Sequence, residues 1–416
     1  MSVDNSELLM LLGGKKSKSA IGIAGHKGFG VGVYGGDPAD LIAMGLTPMD
    51  GCDDPSSDNY GNYVHTNGSI MCFIPAFCYR IGNPAAPSYA RDNDNALEIR
   101  DASEGEGDGW ILHRAFIDGG VQKAGFFIDK YIASKDKTGK LAVSVKNGDN
   151  ISLSLGDVNS STMPNCSGRL YDAITLGRAR GEHYSCVTAF QWSAISMLSL
   201  AHGQAATSNQ FCGWYDASHM KNYPKGNNTY TLNDFDDSSV KWSAHHSEEY
   251  IGKTGSGRPF NKTTHNGQNC GVTDVNGSQW QAVIGREGLE GSQWMLMKES
   301  VKAHDITAGN HSDKELYDVS GISYVEGNHA WGLGAFYIDE SGISRAKCGI
   351  QPLAGFQDAI ALFGYDTAII NYQSEKALVV GGSYSNGNKA GVWARSTVGW
   401  NVSSSACSFR ISGYAN

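Results

Sequence analysis

Charge, proline and long apolar runs are all scarce in this chain of 416 residues. Only 18% of the residues are charged and only 10 are proline, while 40% are hydrophobic and 10% aromatic. A chain with that much apolar material and so little charge is not intrinsically disordered. It is long enough to bury a sizeable core. No apolar run reaches the roughly 18 residues of a membrane span. The longest patch near the start, Leu8 to Leu12, precedes Lys15, Lys16 and Lys18, the reverse of signal-peptide order. The expectation is a protein made in the cytoplasm without a Sec-type export signal. Those lysines are also the densest basic cluster in a chain of net charge −9, so no nucleic-acid partner is expected. The nine cysteines, Cys52, Cys72, Cys78, Cys166, Cys186, Cys212, Cys270, Cys348 and Cys407, are odd in number and contain no CxxC pair. Zinc and thioredoxin-like chemistry are therefore not indicated, and buried free thiols are expected.

What the chain has in excess is glycine, 53 residues, accompanied by Asn, Ser and Asp. That mixture predicts many turns between short strands. Alternation from Gly22 to Gly36 predicts a Gly-rich strand or hairpin. No long amphipathic helix follows it, so a phosphate-binding loop is rejected. Ser69–Tyr79 and Gly125–Tyr131 read as strands, and Leu141–Leu155 as a strand with a turn at Asn147-Gly148. Two helices are predicted. Leu170–Arg180 carries apolar residues at i, i+3 and i+4, and Ala189–His202 follows the capping-box spacing of Thr188 and Gln191, with Gly203 as its C-cap. Residues 1–65 are taken as an N-terminal Gly-rich β segment for attachment or oligomerisation, and residues 66–416 as the main domain.

Several phrases stand in a recognisable order. They are Ile74 to Tyr79, His113 to Phe116, Gly125 to Tyr131, Phe190-Gln191-Trp192, His265-Asn266-Gly267, Gly271 to Trp280 (GVTDVNGSQW), Gly381-Gly382 and Ser408-Phe409-Arg410. The series resembles the formylglycine-generating-enzyme, or sulfatase-modifying-factor, branch of the C-type lectin fold. Within it the chain is most similar to the variable proteins of diversity-generating retroelements, including phage tropism determinants. The resemblance spans residues 65–416. It implies an α+β, C-type lectin-like fold with two helices, short strands and long irregular loops. It also implies receptor binding or host adhesion on a phage or prophage tail, with a host-surface or other macromolecular ligand, tail components as partners and a homotrimeric assembly. Within the motifs, Asn276-Gly277 can turn the chain tightly. Trp280 offers an apolar anchor, and the forked guanidinium of Arg410 can satisfy several buried carbonyls.

The enzymatic side of the resemblance is not matched. Copper oxidation by that branch uses a closely placed cysteine pair late in the chain, and here the late cysteines Cys348 and Cys407 lie far apart. GxSxG and HExxH are absent. The pair His245-His246 reads as a solvated loop. No cofactor is assigned. A structural calcium ion is kept open, with Asp234, Asp236 and Asp237 as one candidate set that lacks EF-hand spacing.

The binding reading falls on residues 381–410, rich in Tyr, Trp, Ser, Asn and Gly, the residue types that serve adaptable recognition surfaces. Relatives of this type vary by adenine-directed mutation, to which Asn codons are most open. The expected contact face is Tyr384, Ser385, Asn386, Asn388, Arg395, Ser396, Val398, Trp400, Asn401, Ser403, Ser404 and Ser405. Gly381, Gly382, Gly391, Val392, Trp393, Phe409 and Arg410 are expected as scaffold, with Arg395 sharing the face of Trp393 in a strand. On this reading, truncating Tyr384 and Trp400 removes binding and spares stability, whereas truncating Trp280 or Arg410 unfolds the domain. A fixed lectin-like decoration of a particle protein is the alternative function.

Overall fold

The computed structural model describes residues 20–217, 251–257, 260–288, 293–323, 327–330, 338–339, 342–343, 366–370, 376–386 and 389–415. Among them two sheets dominate. The strands of these sheets are β1 (Leu46–Pro48), β2 (Asn62–His65), β3 (Ile70–Pro75), β4 (Gly125–Asp129), β5 (Tyr184–Cys186), β6 (Trp280–Gly288) and β7 (Gln293–Met297). They continue with β8 (Tyr317–Ser323), β9 (Gly327–Ala330), β10 (Thr367–Ile370), β11 (Lys376–Val380), β12 (Arg395–Gly399), β13 (Cys407–Phe409) and β14 (Ile411–Gly413). The first sheet runs β1-β2-β3-β4-β14-β5 and is antiparallel throughout. The second runs β8-β7-β6-β11-β12-β10-β9, with β13 laid parallel on β6. The protein is thus mixed α and β, with few helices and mostly antiparallel sheets.

The two longest helices among the described residues, α1 (Asp172–Arg178) and α2 (Ala189–Ala205), pack with the sheets. The capping box of α2 is formed, with the Gln191 N–H donating to Thr188 Oγ1 at 3.1 Å and the Thr188 N–H to Gln191 Oε1 at 2.8 Å. The helix runs past Gly203 to Ala205, and Ala206 caps it in extended backbone. Its residues 189–203 are all buried, so the helix is enclosed on every side and shows no solvent-facing polar stripe. The small hydroxyls on it bond inward: Ser196 and Ser199 donate to the i−4 carbonyls of Trp192 and Ile195 at 2.9 Å.

The stretch Gly22–Gly36 forms no strand. Gly22, Gly25, Gly28 and Gly30 all take positive φ, which turns the chain repeatedly and breaks the alternation that a strand needs. Nor do residues 20–65 stand apart from the rest. β1 and β2 belong to the first sheet, and Ile21, Phe29, Val31 and Leu41 share one core with Trp192, Trp393 and Phe409. Leu141–Leu155 supplies only the two-residue strand Ala142–Val143, while Asn147 turns with φ 59°. The eight described cysteines are all buried.

Three histidines lie inside this core in one tautomeric arrangement. Backbone N–H groups of Ala115, Gly25 and Val272 donate to Nδ1 of His113, His202 and His265 at 3.1, 3.1 and 3.0 Å. A ring that already accepts at Nδ1 cannot take a proton there without breaking that bond. Burial pushes the three down to about 3, about 4 and about 3 from an ordinary 6.5. The unfolded chain then binds more protons than the folded one below pH 6.5, so stability falls as pH drops. Burial raises the carboxyls of Asp118 and Asp274, and these oppose the loss at the acid end. The urea midpoint is expected to fall steadily from pH 6.5 to 4.5, each histidine contributing up to about 1.4 kcal/mol per pH unit. A midpoint flat over that range would show that the rings do not titrate on unfolding.

Candidate functional site

The C-terminal segment leaves the second sheet and returns to it around an exposed loop. β11 and β12 pair in antiparallel register from Lys376↔Gly399 to Val380↔Arg395. The connection between them begins with Gly381 and Gly382, both at positive φ. A Cβ on Gly382 would lie 2.5 Å from Cβ of Ala390, and one on Gly277 2.4 Å from the same atom. Only glycine allows the three backbones to close there. Asn386 then folds back, its Oδ1 accepting from the Ser383 N–H at 2.8 Å and from Ser383 Oγ at 2.9 Å. Ser385 and Lys389 are exposed, and Asn386 is half-buried.

Residues 401–406, exposed at Asn401, Val402 and Ser403 and half-buried beyond, form the second accessible stretch, and main-chain bonds stitch it down together with Trp400. The Tyr171 and Leu170 N–H groups donate to the carbonyls of Trp400 and Val402 at 3.3 and 3.1 Å. The Ser404 N–H donates to Leu153 O at 2.8 Å, and Ser152 Oγ to Ser405 O at 2.9 Å. Trp280 N–H donates to Ala406 O at 2.9 Å. Ser403 Oγ accepts from the Leu155 N–H at 3.0 Å. Between these ties Asn401, Val402 and Ser403 point to solvent, and Ser404 and Ser405 are half-buried. Val402 is 41% exposed and Leu155 54%, so the loop and the segment it is stitched to both carry an accessible aliphatic side chain.

The expected contact face therefore divides. Trp400, 2% exposed, is an anchor: its Nε1 donates to both oxygens of the buried Glu287 at 2.8 and 2.7 Å, and its ring lies 4.9 Å from that of His311. Arg395, 3% exposed, is a structural tie that donates to the carbonyls of Val392 and Ala394 at 2.8 and 3.1 Å. Burial pulls its guanidinium down to about 9, still charged at neutral pH. Ser396 and Tyr384 are buried as well. β12 is enclosed on both faces over Arg395–Thr397, so the in-and-out alternation expected around Trp393 does not apply. Ser385, Asn386, Val398, Asn401, Ser403, Ser404 and Ser405 keep solvent access. Asn388 lies outside the described residues. Val402, Leu155 and Lys389 were not among the expected contacts. Val402 stands out in hindsight as the aliphatic residue in a Ser/Asn run, whereas nothing near Leu155 in the sequence places it beside residue 403.

The chemistry-bearing candidates are distributed differently. Cys407 is buried in β13, and burial pushes its thiol up to about 11, which favours the neutral form over the thiolate that copper would need. Cys348, His245, His246, Asp234, Asp236 and Asp237 lie outside the described residues. Among the described residues no group of three or more His, Cys, Asp or Glu side chains is arranged to hold a metal ion.

No family model matches the chain, and no curated protein does. Among solved structures it is similar to the Major Tropism Determinant I1 variant, at 11% identity over 83% of this chain with a TM-score of 0.33. The Major Tropism Determinant M1 variant is similar at 12% identity, 83% coverage and a TM-score of 0.31. The chain spans 63% of the length of each of these two. PvdO from Pseudomonas aeruginosa is similar at 11% identity over 84% of this chain and 95% of its own, with a TM-score of 0.29.

The division between anchor and surface is directly measurable. Trp400→Phe removes the indole donor from a buried carboxylate and should cost about 2 kcal/mol in urea unfolding. Asn401→Ala, at an exposed position, should change stability by less than about 0.5 kcal/mol. Equal effects would contradict the burial of Trp400.

Proposed function

We propose that the chain is a non-enzymatic recognition protein with a C-type lectin-like domain, acting in receptor binding or host adhesion on a phage or prophage tail. Its contact surface consists of Ser385, Asn386, Asn388, Val398, Asn401, Ser403, Ser404 and Ser405, joined by Val402 and Leu155. The observation that carries this reading is the construction of residues 400–406. Trp400 and Cys407 are buried at the two ends, main-chain bonds hold the stretch in one shape, and small polar side chains surround two exposed aliphatic ones. A preorganised loop loses little conformational freedom on binding. The aliphatic pair supplies area to remove from water, and the serines and asparagines supply adaptable hydrogen bonds. No bond is made or broken, so function is complementarity of shape and polarity. Display as a homotrimer together with tail components would multiply a weak single contact into firm adhesion. The protein would be made in the cytoplasm and assembled on the particle.

Diversification of this segment by a retroelement is part of the same reading. Sequencing the gene across a population should then find codon changes at 385, 386, 388, 398, 401 and 403–405, with Trp393, Arg395 and Trp400 unchanged. Changes spread evenly over buried and exposed positions, or none at all, would argue for a fixed module.

The binding surface is tested by placing charge on its aliphatic pair. Leu155→Glu with Val402→Glu should reduce adsorption of the purified full chain to host cells at least tenfold, while the melting temperature stays within about 2 °C, as surface substitutions do. Adsorption equal to that of the parent would place the contact elsewhere on the molecule.

A further inference from the structure

α1 serves two places on the molecule. Just before its first turn, Leu170 and Tyr171 hold the loop 400–402. Its C-terminal half, with Thr175 and Arg178, lines a cleft of about 540 Å³. That is within the size range of small-ligand pockets. The cleft is distinct from the loop 401–405, none of whose residues lines it.

Its charge is one-sided. Lys140, Arg178 and Arg180 all line it, and no carboxylate does, although the chain as a whole carries a net charge of −9. Arg180 is held from behind by Asp129, which accepts from both of its terminal nitrogens. Even so, Arg180 Nε and Arg178 Nη1 are buried without a hydrogen-bond acceptor. Buried donors of that kind are costly to leave unpaired. Lys140 is exposed and carries no ion pair among the described residues. His65, also in the lining, is pushed below its ordinary value by burial and by the charge of Arg180, as expected for a positive, partly desolvated site.

The remaining lining sets the rest of the ligand. Leu141 and Pro164 give aliphatic walls, while the amides of Asn67 and Asn165 and the hydroxyl of Thr175 offer hydrogen bonds. No Trp, Tyr or Phe lines the cleft, and its one flat ring, the imidazole of His65, is buried and packed edge-on against Tyr184, so a flat aromatic acid finds little face to stack on. A saturated ring with hydroxyls on its edge and one carboxylate fits all three features. We propose that this cleft binds an acidic sugar, its carboxylate met by Lys140 and Arg178 and its ring lying against Leu141 and Pro164. The site does not depend on the recognition function assigned to the C-terminal loop.

The test is isothermal titration of the full chain, at about 0.15 M salt, with sodium glucuronate and N-acetylneuraminate in turn, and with glucose and inorganic phosphate as comparators. At least one acidic sugar should bind ten or more times tighter than glucose and phosphate. Lys140→Gln and Arg178→Gln should each weaken it about tenfold, the range expected for loss of one charge-assisted bond. Should Arg178→Gln prove unfolded by melting, Lys140→Gln, at an exposed position, decides alone. The proposal is overturned if neither acid binds better than glucose, if phosphate binds as tightly as the acids, or if Lys140→Gln leaves affinity unchanged.

Discussion

One guanidinium joins the two sheets. β13 lies on β6 in the second sheet and β14 pairs with β4 and β5 in the first. Arg410 is the single residue between them. Its Nε donates to Gln281 Oε1 at 2.5 Å, and its Nη1 to the carbonyls of Asp129 and Lys130 at 3.0 Å each, while Nη2 donates to Thr273 O. The side chain is fully buried. Burial pulls it down to about 10, with the nearby Asp274 and Asp129 holding it up, so it stays charged at neutral pH. A chain crossing from one sheet to another in one residue leaves carbonyls facing inward on both sides, and a planar fork of five donors is suited to reach several at once.

The motif segment ending at Trp280 is shaped around the same point. Asp274 takes positive φ, and its carboxylate accepts from the Gly255 and Ile132 N–H groups. Its carbonyl accepts from Gln281 Nε2 at 3.1 Å, the side chain whose other end receives Arg410. Asp129 closes the circuit: its carboxylate accepts from the Ile411 N–H and from Arg180. Each group here depends on the next for its hydrogen bonds, so the network specifies one arrangement of strands and tolerates few substitutes.

Features that follow from local chemistry were legible in the sequence. The capping box at Thr188 and Gln191, the strands around Ile74 and Phe127, the turn at Gly277 and the carbonyl-binding role of Arg410 all depend on a few neighbouring atoms. What was not legible depends on distant partners. Period-two alternation in Gly22–Gly36 looks like a strand, but side-chain pattern carries no record of φ, and glycine permits the left-handed region. Trp400 reads as a surface aromatic because its neighbours are Gly, Asn and Ser. It is buried because Glu287, more than a hundred residues earlier in the chain, presents a carboxylate for its indole. The enclosure of β12 on both faces follows from sheet position, which no single-strand pattern reveals.

The same distinction bears on how a surface loop can change its side chains and keep its shape. Of the ties that hold residues 400–406, those at Trp400, Val402, Ser404, Ser405 and Ala406 use main-chain carbonyls or N–H groups. Replacing Asn401, Val402 or Ser404 alters the surface and removes none of these bonds. Ser403 is the exception, since its hydroxyl accepts from the Leu155 N–H, and there a residue without an acceptor would loosen the approach of the aliphatic pair. Trp400 cannot change freely either, because its side chain satisfies a buried carboxylate. A loop fixed through its backbone between buried ends can therefore vary its chemistry at exposed positions without spending the stability of the fold.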